Sequence, residues 1–215
     1  MFSTANKTLI HGRSRFQTAV ERGVAWTLQQ RSVTLQQDEE RGHDPMIDAW
    51  PWIDGTHAWV EPTALHVLSL RAAGHSQHAR TREAVRMLVD RQLPGGGWNY
   101  GNTVAFGNEL RPHDQPTGVA LLALADETKL SGLTQRSIDF LRGRVSADMT
   151  TTSLCWSLLG LAAHDQFPDE ALARLEAAYQ RVMTRDRSLL KLALIGLAQG
   201  GWSPAFRLRN IEETG

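Results

Sequence analysis

Apolar residues recur at a helical period along most of this chain, and the helices they predict are of two kinds. In segments 14–31, 80–92, 133–145 and 168–183 the apolar positions alternate with charged ones, as in helices that bury one side. The first of these opens at Ser14, with Gln17 three residues on in the manner of a capping box, and places Phe16, Val20, Val24, Trp26 and Leu28 toward a core. In the second, Ala84, Val85, Met87 and Leu88 are expected inward, and Arg82, Glu83, Arg86 and Asp90 outward. Segments 63–70, 117–124, 152–161 and 188–197 are instead Ala, Leu and Gly nearly all round, which marks a buried helix. The first two carry Pro62 and Pro116 in the first turn, where a missing N–H costs nothing. Thr117, Thr152 and Ser188 open successive buried helices at intervals of roughly 35 residues, a spacing that points to helical-hairpin repeats. Strand patterns are nearly absent. The expected fold is all-α: about four helical hairpins in two concentric layers, curved into an α/α toroid that is a partial or open barrel. One domain over 14–202 is expected, interrupted by a long loop at 32–59 and flanked by flexible tails at 1–13 and 203–215.

The interval from Thr63 to Thr117 is longer because it contains a glycine-rich joint, Gln92-Leu93-Pro94-Gly95-Gly96-Gly97-Trp98-Asn99-Tyr100. Pro94 and the glycines end a helix, and Trp98 and Tyr100 are expected to pack between hairpins. The joint follows a helix and has neither the lysine nor the spacing of a phosphate loop, so it reads as a turn. Gln199-Gly200-Gly201-Trp202 is a compressed partial copy.

Gln92, Gly96 and Trp98 resemble the Gln-x-x-x-Gly-x-Trp half of the repeat motif of squalene–hopene cyclases and related triterpene cyclases. The openings Glu61-Pro62-Thr63-Ala64-Leu65 and Asp114-Gln115-Pro116-Thr117-Gly118 resemble inner-helix starts of the same prenyltransferase/squalene-cyclase superfamily. The resemblance covers roughly residues 15–202. It implies an α/α barrel whose inner helices line an apolar cavity for a polyprenyl chain; four hairpins are fewer than that family's usual six or so. In the protonating cyclases the middle carboxylic acid of Asp-x-Asp-Asp-Thr gives the proton. Aligned on threonine, only Glu61 keeps a carboxyl there; Gln115 takes its place before Thr117, with Asp114 one residue away. The Asp-x-Cys zinc pair and the Asp-Asp-x-x-Asp magnesium motif of relatives have no counterpart, so neither a metal site nor a cofactor is expected.

Composition narrows the partners. Lysine plus arginine and aspartate plus glutamate balance at 23 each, which speaks against a nucleic-acid or anionic-membrane surface. No apolar run approaches the roughly 18 residues of a membrane span, so no transmembrane segment is expected. A single cysteine, Cys155, and a polar N-terminus without a signal-like apolar stretch point to the cytoplasm. Seven tryptophans are many for 215 residues, and several fall in joints or at helix starts.

Glu61 and Asp114 are therefore the candidate catalytic acids, at equivalent ends of two buried helices. Protonating an alkene requires a carboxyl kept neutral in a dry pocket, with neighbours that tune it. Asp54 and His57 stand close enough in sequence to Glu61 for that role, and His113 beside Asp114. Trp50, Trp52, Trp59 and Trp156 are the candidate substrate-binding rings, and Asp54, His57 and His113 are candidate substrate-binding residues beside them. Each has a plainer reading: Glu61 and Asp114 as charges suited to helix N-termini, Cys155 and Trp156 as core filling. Two functions follow. The first is a terpenoid-cyclase-like protein that binds an apolar isoprenoid and cyclises or isomerises it by protonation. The alternative is a non-catalytic repeat domain that binds a protein partner or completes a barrel as a homo-oligomer.

Overall fold

The structure is a computed structural model that describes residues 4–37, 41–146 and 148–200, with side chains from Phe16 onward. Among these residues it contains eight α-helices: α1 (Thr4–Gln29), α2 (Val60–Ala72), α3 (Ala79–Asp90), α4 (Asp114–Leu124), α5 (Ser131–Arg142), α6 (Thr151–Ala162), α7 (Ala171–Arg185) and α8 (Leu189–Gln199). The only strands described are β1 (Val104–Ala105) and β2 (Asn108–Glu109), an antiparallel pair inside the joint before α4. The chain is mostly helical, as the periodicity predicts. α1 starts ten residues before Ser14 and takes in most of the expected tail. Gly201, Trp202 and the segment 203–215 lie outside the described residues, as do residues 38–40 of the acidic run and the first three residues.

The helices apolar on all sides contact one another in sequence: α2 with α4, α4 with α6, α6 with α8. The amphipathic helices lie along this row, α3 on α2, α5 on α4 and α6, α7 on α6 and α8. The two middle helices are enclosed, and every residue of α4 from Pro116 to Leu124 is buried. Their close approach depends on paired glycines. A Cβ on Gly118 would run into the Trp156 carbonyl oxygen, and one on Gly160 would meet the Gly118 carbonyl oxygen at 2.5 Å, so the backbones cross where neither has a side chain.

At the ends of the row the same kind of sequence is only half covered. In α8, Leu194, Ile195 and Ala198 are buried, whereas Leu189, Leu190 and Leu197 are 83%, 67% and 42% exposed. α1 also departs from expectation. Val24 and Leu28 pack on the core, but Phe16, Val20 and Trp26 stand 75%, 48% and 59% exposed. Trp26 lies two residues from each of them, about 200° around a helix, so it faces away from theirs.

The joint explains its own residues. Gln92 reaches from the end of α3 to α5, its amide nitrogen donating to the Leu133 carbonyl and to Ser137 Oγ, each at 2.7 Å. Ser137 Oγ in turn accepts from the Gly97 N–H at 2.8 Å. Gly96 (φ 93°) and Gly97 (φ 77°) are in the left-handed region that favours glycine, and a Cβ on Gly96 would strike the Arg136 carbonyl oxygen at 2.6 Å. Trp98 is fully buried, its indole N–H donating to the Leu88 carbonyl near the end of α3 at 2.6 Å. Its backbone N–H donates to Thr117 Oγ1 at 2.9 Å, and His113 N–H donates to its carbonyl at 2.8 Å. Tyr100, expected between hairpins, is instead 46% exposed and lies against His113 with ring centroids 4.9 Å apart.

The long 32–59 segment repeats this lock with different spacing. Trp50 N–H donates to Thr63 Oγ1 at 3.2 Å, Trp59 N–H donates to the Trp50 carbonyl at 3.1 Å, and the Trp50 indole donates to the Thr27 carbonyl near the end of α1 at 3.0 Å. Each tryptophan thus ties the end of one amphipathic helix to the threonine at the start of the next apolar one. In this sense α1–α2 and α3–α4 are two copies of one unit.

Candidate functional site

The repeat brings the starts of α2 and α4 side by side. Glu61 and Gln115 hold the same place, two residues before Thr63 and Thr117, and Gln115 Nε2 donates to Glu61 Oε1 at 2.9 Å. Glu61 is half-buried, and burial raises its carboxyl above the usual carboxylate range, with the Gln115 hydrogen bond pulling the other way. Asp114, one residue over, is in another situation. It is ion-paired with Arg144, whose Nε and Nη2 both donate to its carboxylate, and Arg144 holds its own proton more firmly as a result. The two candidate acids are therefore unlike: Glu61 accepts from a neutral amide, Asp114 from a cation.

The residues expected to tune Glu61 face elsewhere. Asp54 is exposed on the loop before α2. His57 lies against the Trp59 ring with centroids 4.3 Å apart, and its buried Nε2 has no hydrogen-bond partner. Burial first, then the charges of Arg91 and Arg41, lower its pKa, so the ring is neutral. Trp59 is partly buried, one of its ring carbons lying 3.1 Å from where a Cβ on Gly101 would be. His113 is exposed beside Tyr100, and Trp156 packs on the core from α6. Cys155 is buried and its thiol pushed up to about 12 by burial, which leaves it an inert small hydrophobe.

What the structure does bring together is a groove. Trp50, Trp52 and Asp54, all candidate binding residues, join Trp26, Gln30, Pro51, Ile53 and His66 around an open depression of about 300 Å³. Three elements build it: the last turn of α1, the loop 50–54 and the second turn of α2. Trp50 forms the floor, only 1% exposed, with the His66 ring parallel to it at 5.0 Å and the Arg80 guanidinium 4.7 Å from its centroid. Arg80 is itself neutralised by Asp48 at 2.8 Å and donates to the Asp48, Gln30 and Ala49 carbonyls, which fixes the end of α1 against the loop. Trp26 and Trp52 are the walls, 59% and 55% exposed, and Trp26 stacks on His66 at 6.5 Å.

Sequence reasoning missed Trp26 and His66. The helical period places Trp26 inward with Val24 and Leu28, although its offset from both is a signal that it points away; His66, alone on an apolar helix, reads from sequence as packed or solvated rather than as a ligand. Among the described residues no group of three or more His, Cys, Asp or Glu is placed to hold a metal ion, and no helix is long and apolar enough to cross a membrane. No protein-family model, curated protein or solved structure matches the chain.

Proposed function

We propose that this chain binds an apolar, isoprenoid-like small molecule in the groove between α1, the loop 50–54 and α2. The observation that carries the reading is the groove itself: three tryptophans from two elements converge on it, two of them largely exposed to solvent although large rings are ordinarily buried. A cytoplasmic repeat protein of the prenyltransferase/squalene-cyclase kind, its helix rows curving as a partial α/α toroid, is the architecture in which this reading sits. In the catalytic form of the reading, Glu61 is the acid that protonates the bound chain. Its raised pKa, and the lack of a cationic partner among the described residues, favour it over Asp114.

The test is calorimetric titration with linear isoprenoid alcohols and diphosphates, followed by product analysis, on wild type, Trp52→Ala and Glu61→Gln. Binding weakened by Trp52→Ala is expected. Turnover abolished by Glu61→Gln supports the acid, and turnover unchanged removes it. Isoprenoids that neither bind nor react contradict the whole proposal. The second reading, a repeat domain that binds a protein or another copy of itself, is favoured by one observation, the exposed Leu189, Leu190 and Leu197 of α8. Sedimentation of the purified chain separates it: a monomer at all concentrations removes self-association.

A further inference from the structure

The one charged side chain among the described lining residues and the His66 lone pair have the same sign. Asp54 brings a carboxylate. His66 Nδ1 lies 2.7 Å from the Pro62 carbonyl oxygen, which can only accept, so Nδ1 carries the proton and Nε2 of the neutral ring is left as a lone pair. Burial, followed in size by the opposing Pro62 hydrogen bond and then the Arg80 charge, gives a net lowering of the His66 pKa, so the ring stays neutral near pH 7. Among the described lining side chains, the Gln30 amide and the indole N–H groups of Trp26 and Trp52 can donate, and all three are uncharged. Among the described residues no lysine or arginine lines the depression. An anionic ligand would meet the Asp54 carboxylate with no lining cation to offset it, whereas a cationic one would be drawn to it. Tryptophan faces attract a cation through the ring quadrupole, and an adjacent carboxylate adds to that attraction.

A second feature extends the groove. Phe16, Ala19, Gly23, Trp26 and Gln30 follow one line along α1, and the four that precede Gln30 are exposed. From Phe16 to Trp26 this strip runs roughly 15 Å at the rise of an α-helix. It is apolar throughout and ends at the wall of the groove.

We propose that the groove takes the compact ammonium end of an amphiphilic ligand, with the ligand's apolar remainder lying along α1 toward Phe16. This rests on the reading of the groove as a small-molecule site and names the head group that such a molecule carries. The ammonium sits between Trp26 and Trp52 with Asp54 at its edge; methylated nitrogen suits the rings better than a bare ammonium, because it holds its water less tightly.

The experiment is titration of the full chain with three probes: choline, its uncharged carbon isostere dimethylbutanol, and farnesol, with indole fluorescence and calorimetry as readouts. Choline is expected to bind about tenfold more tightly than dimethylbutanol, the difference expected of two ring faces and one carboxylate at an exposed site. Asp54→Asn and Trp52→Ala, both at exposed positions, are expected to remove most of that preference while thermal unfolding stays unchanged, and Trp52→Phe to restore part of it. Dimethylbutanol binding as tightly as choline overturns the inference. Farnesol binding without choline also overturns it, yet leaves the apolar reading standing. Failure of all three probes overturns both.

Discussion

Gly160 and Gly196 occupy matching places in two near-identical strings, Leu158-Leu159-Gly160-Leu161-Ala162 and Leu194-Ile195-Gly196-Leu197-Ala198. Alanine at each should have opposite effects. Propensity alone favours alanine over glycine by about 1 kcal/mol in a helix interior. At Gly196 nothing lies within 4 Å of the new methyl group, so that gain is expected nearly in full. At Gly160 the methyl would sit 2.5 Å from the Gly118 carbonyl oxygen and 2.9 Å from its Cα, both backbone atoms that cannot rotate away. Relief requires α4 and α6 to separate, and both are enclosed, so overpacking of about 3 kcal/mol outweighs propensity for a net loss of about 2 kcal/mol. The two variants then differ by about 3 kcal/mol, which at this chain length is a gap of roughly 6–12 °C in unfolding midpoint. Thermal unfolding by far-UV circular dichroism reads it directly, with a denaturant titration as a check. Gly160→Ala as stable as wild type would refute the glycine crossing. Gly196→Ala strongly destabilised would show that the open side of α8 is covered in solution.

Other expectations follow from named partners. Thr117→Val keeps volume but leaves the buried Trp98 N–H without its acceptor, so a loss of about 2 kcal/mol in denaturant unfolding is expected, and Thr63→Val should cost a similar amount through Trp50. Glu127 accepts from Arg71 at 2.5 Å and Arg82 at 2.6 Å with the Arg71 side chain only 10% exposed, so Glu127→Gln is expected to cost about 3 kcal/mol. Arg144→Ala, which breaks a pair whose arginine is 54% exposed, should cost under about 1 kcal/mol in the same assay. Burial, aided by Arg91, lowers His43 from 6.5 to about 4, so between those values the unfolded chain binds a proton the folded chain refuses. Stability should therefore fall as pH drops through that window, and His43→Gln should flatten the midpoint-against-pH curve there. Glu61 works the other way. Its raised pKa disfavours the folded state as pH rises from 4.5, so Glu61→Gln should gain on wild type with rising pH and lose that advantage below 4.5.

The helices were readable because burial is written in their composition: α4 and α6 lack a polar face and are enclosed, whereas α3 has one and lies on α2 with that face outward. Gln92, Gly96 and Trp98 were readable as a joint because glycine, proline and tryptophan mark backbone conformation directly. That the starts of α2 and α4 correspond could be seen from Pro62-Thr63 and Pro116-Thr117, and the Glu61–Gln115 hydrogen bond is the physical result. The Trp50 lock was hidden because its tryptophan precedes its threonine by 13 residues, whereas Trp98 precedes Thr117 by 19. Loops of different length satisfy the same two hydrogen bonds, and no periodicity records that. Asp114 looked like the twin of Glu61 until Arg144, thirty residues on, was brought to it by α5. The groove could not be read from any one segment, since α1 supplies Trp26, the loop Trp52 and α2 His66. Only the tertiary arrangement puts those rings together.

The central claim is that these tryptophans form a ligand site, and photoaffinity mapping tests it most directly. A linear isoprenoid bearing a photoreactive group is bound to the full chain, cross-linked and located by peptide mass spectrometry, with unlabelled farnesol as competitor. The account predicts competed labelling on the peptides carrying Trp26–Gln30 and Trp50–Asp54, lost in Trp26→Ala/Trp52→Ala. Labelling confined to α8, or spread over the surface without competition, would contradict it.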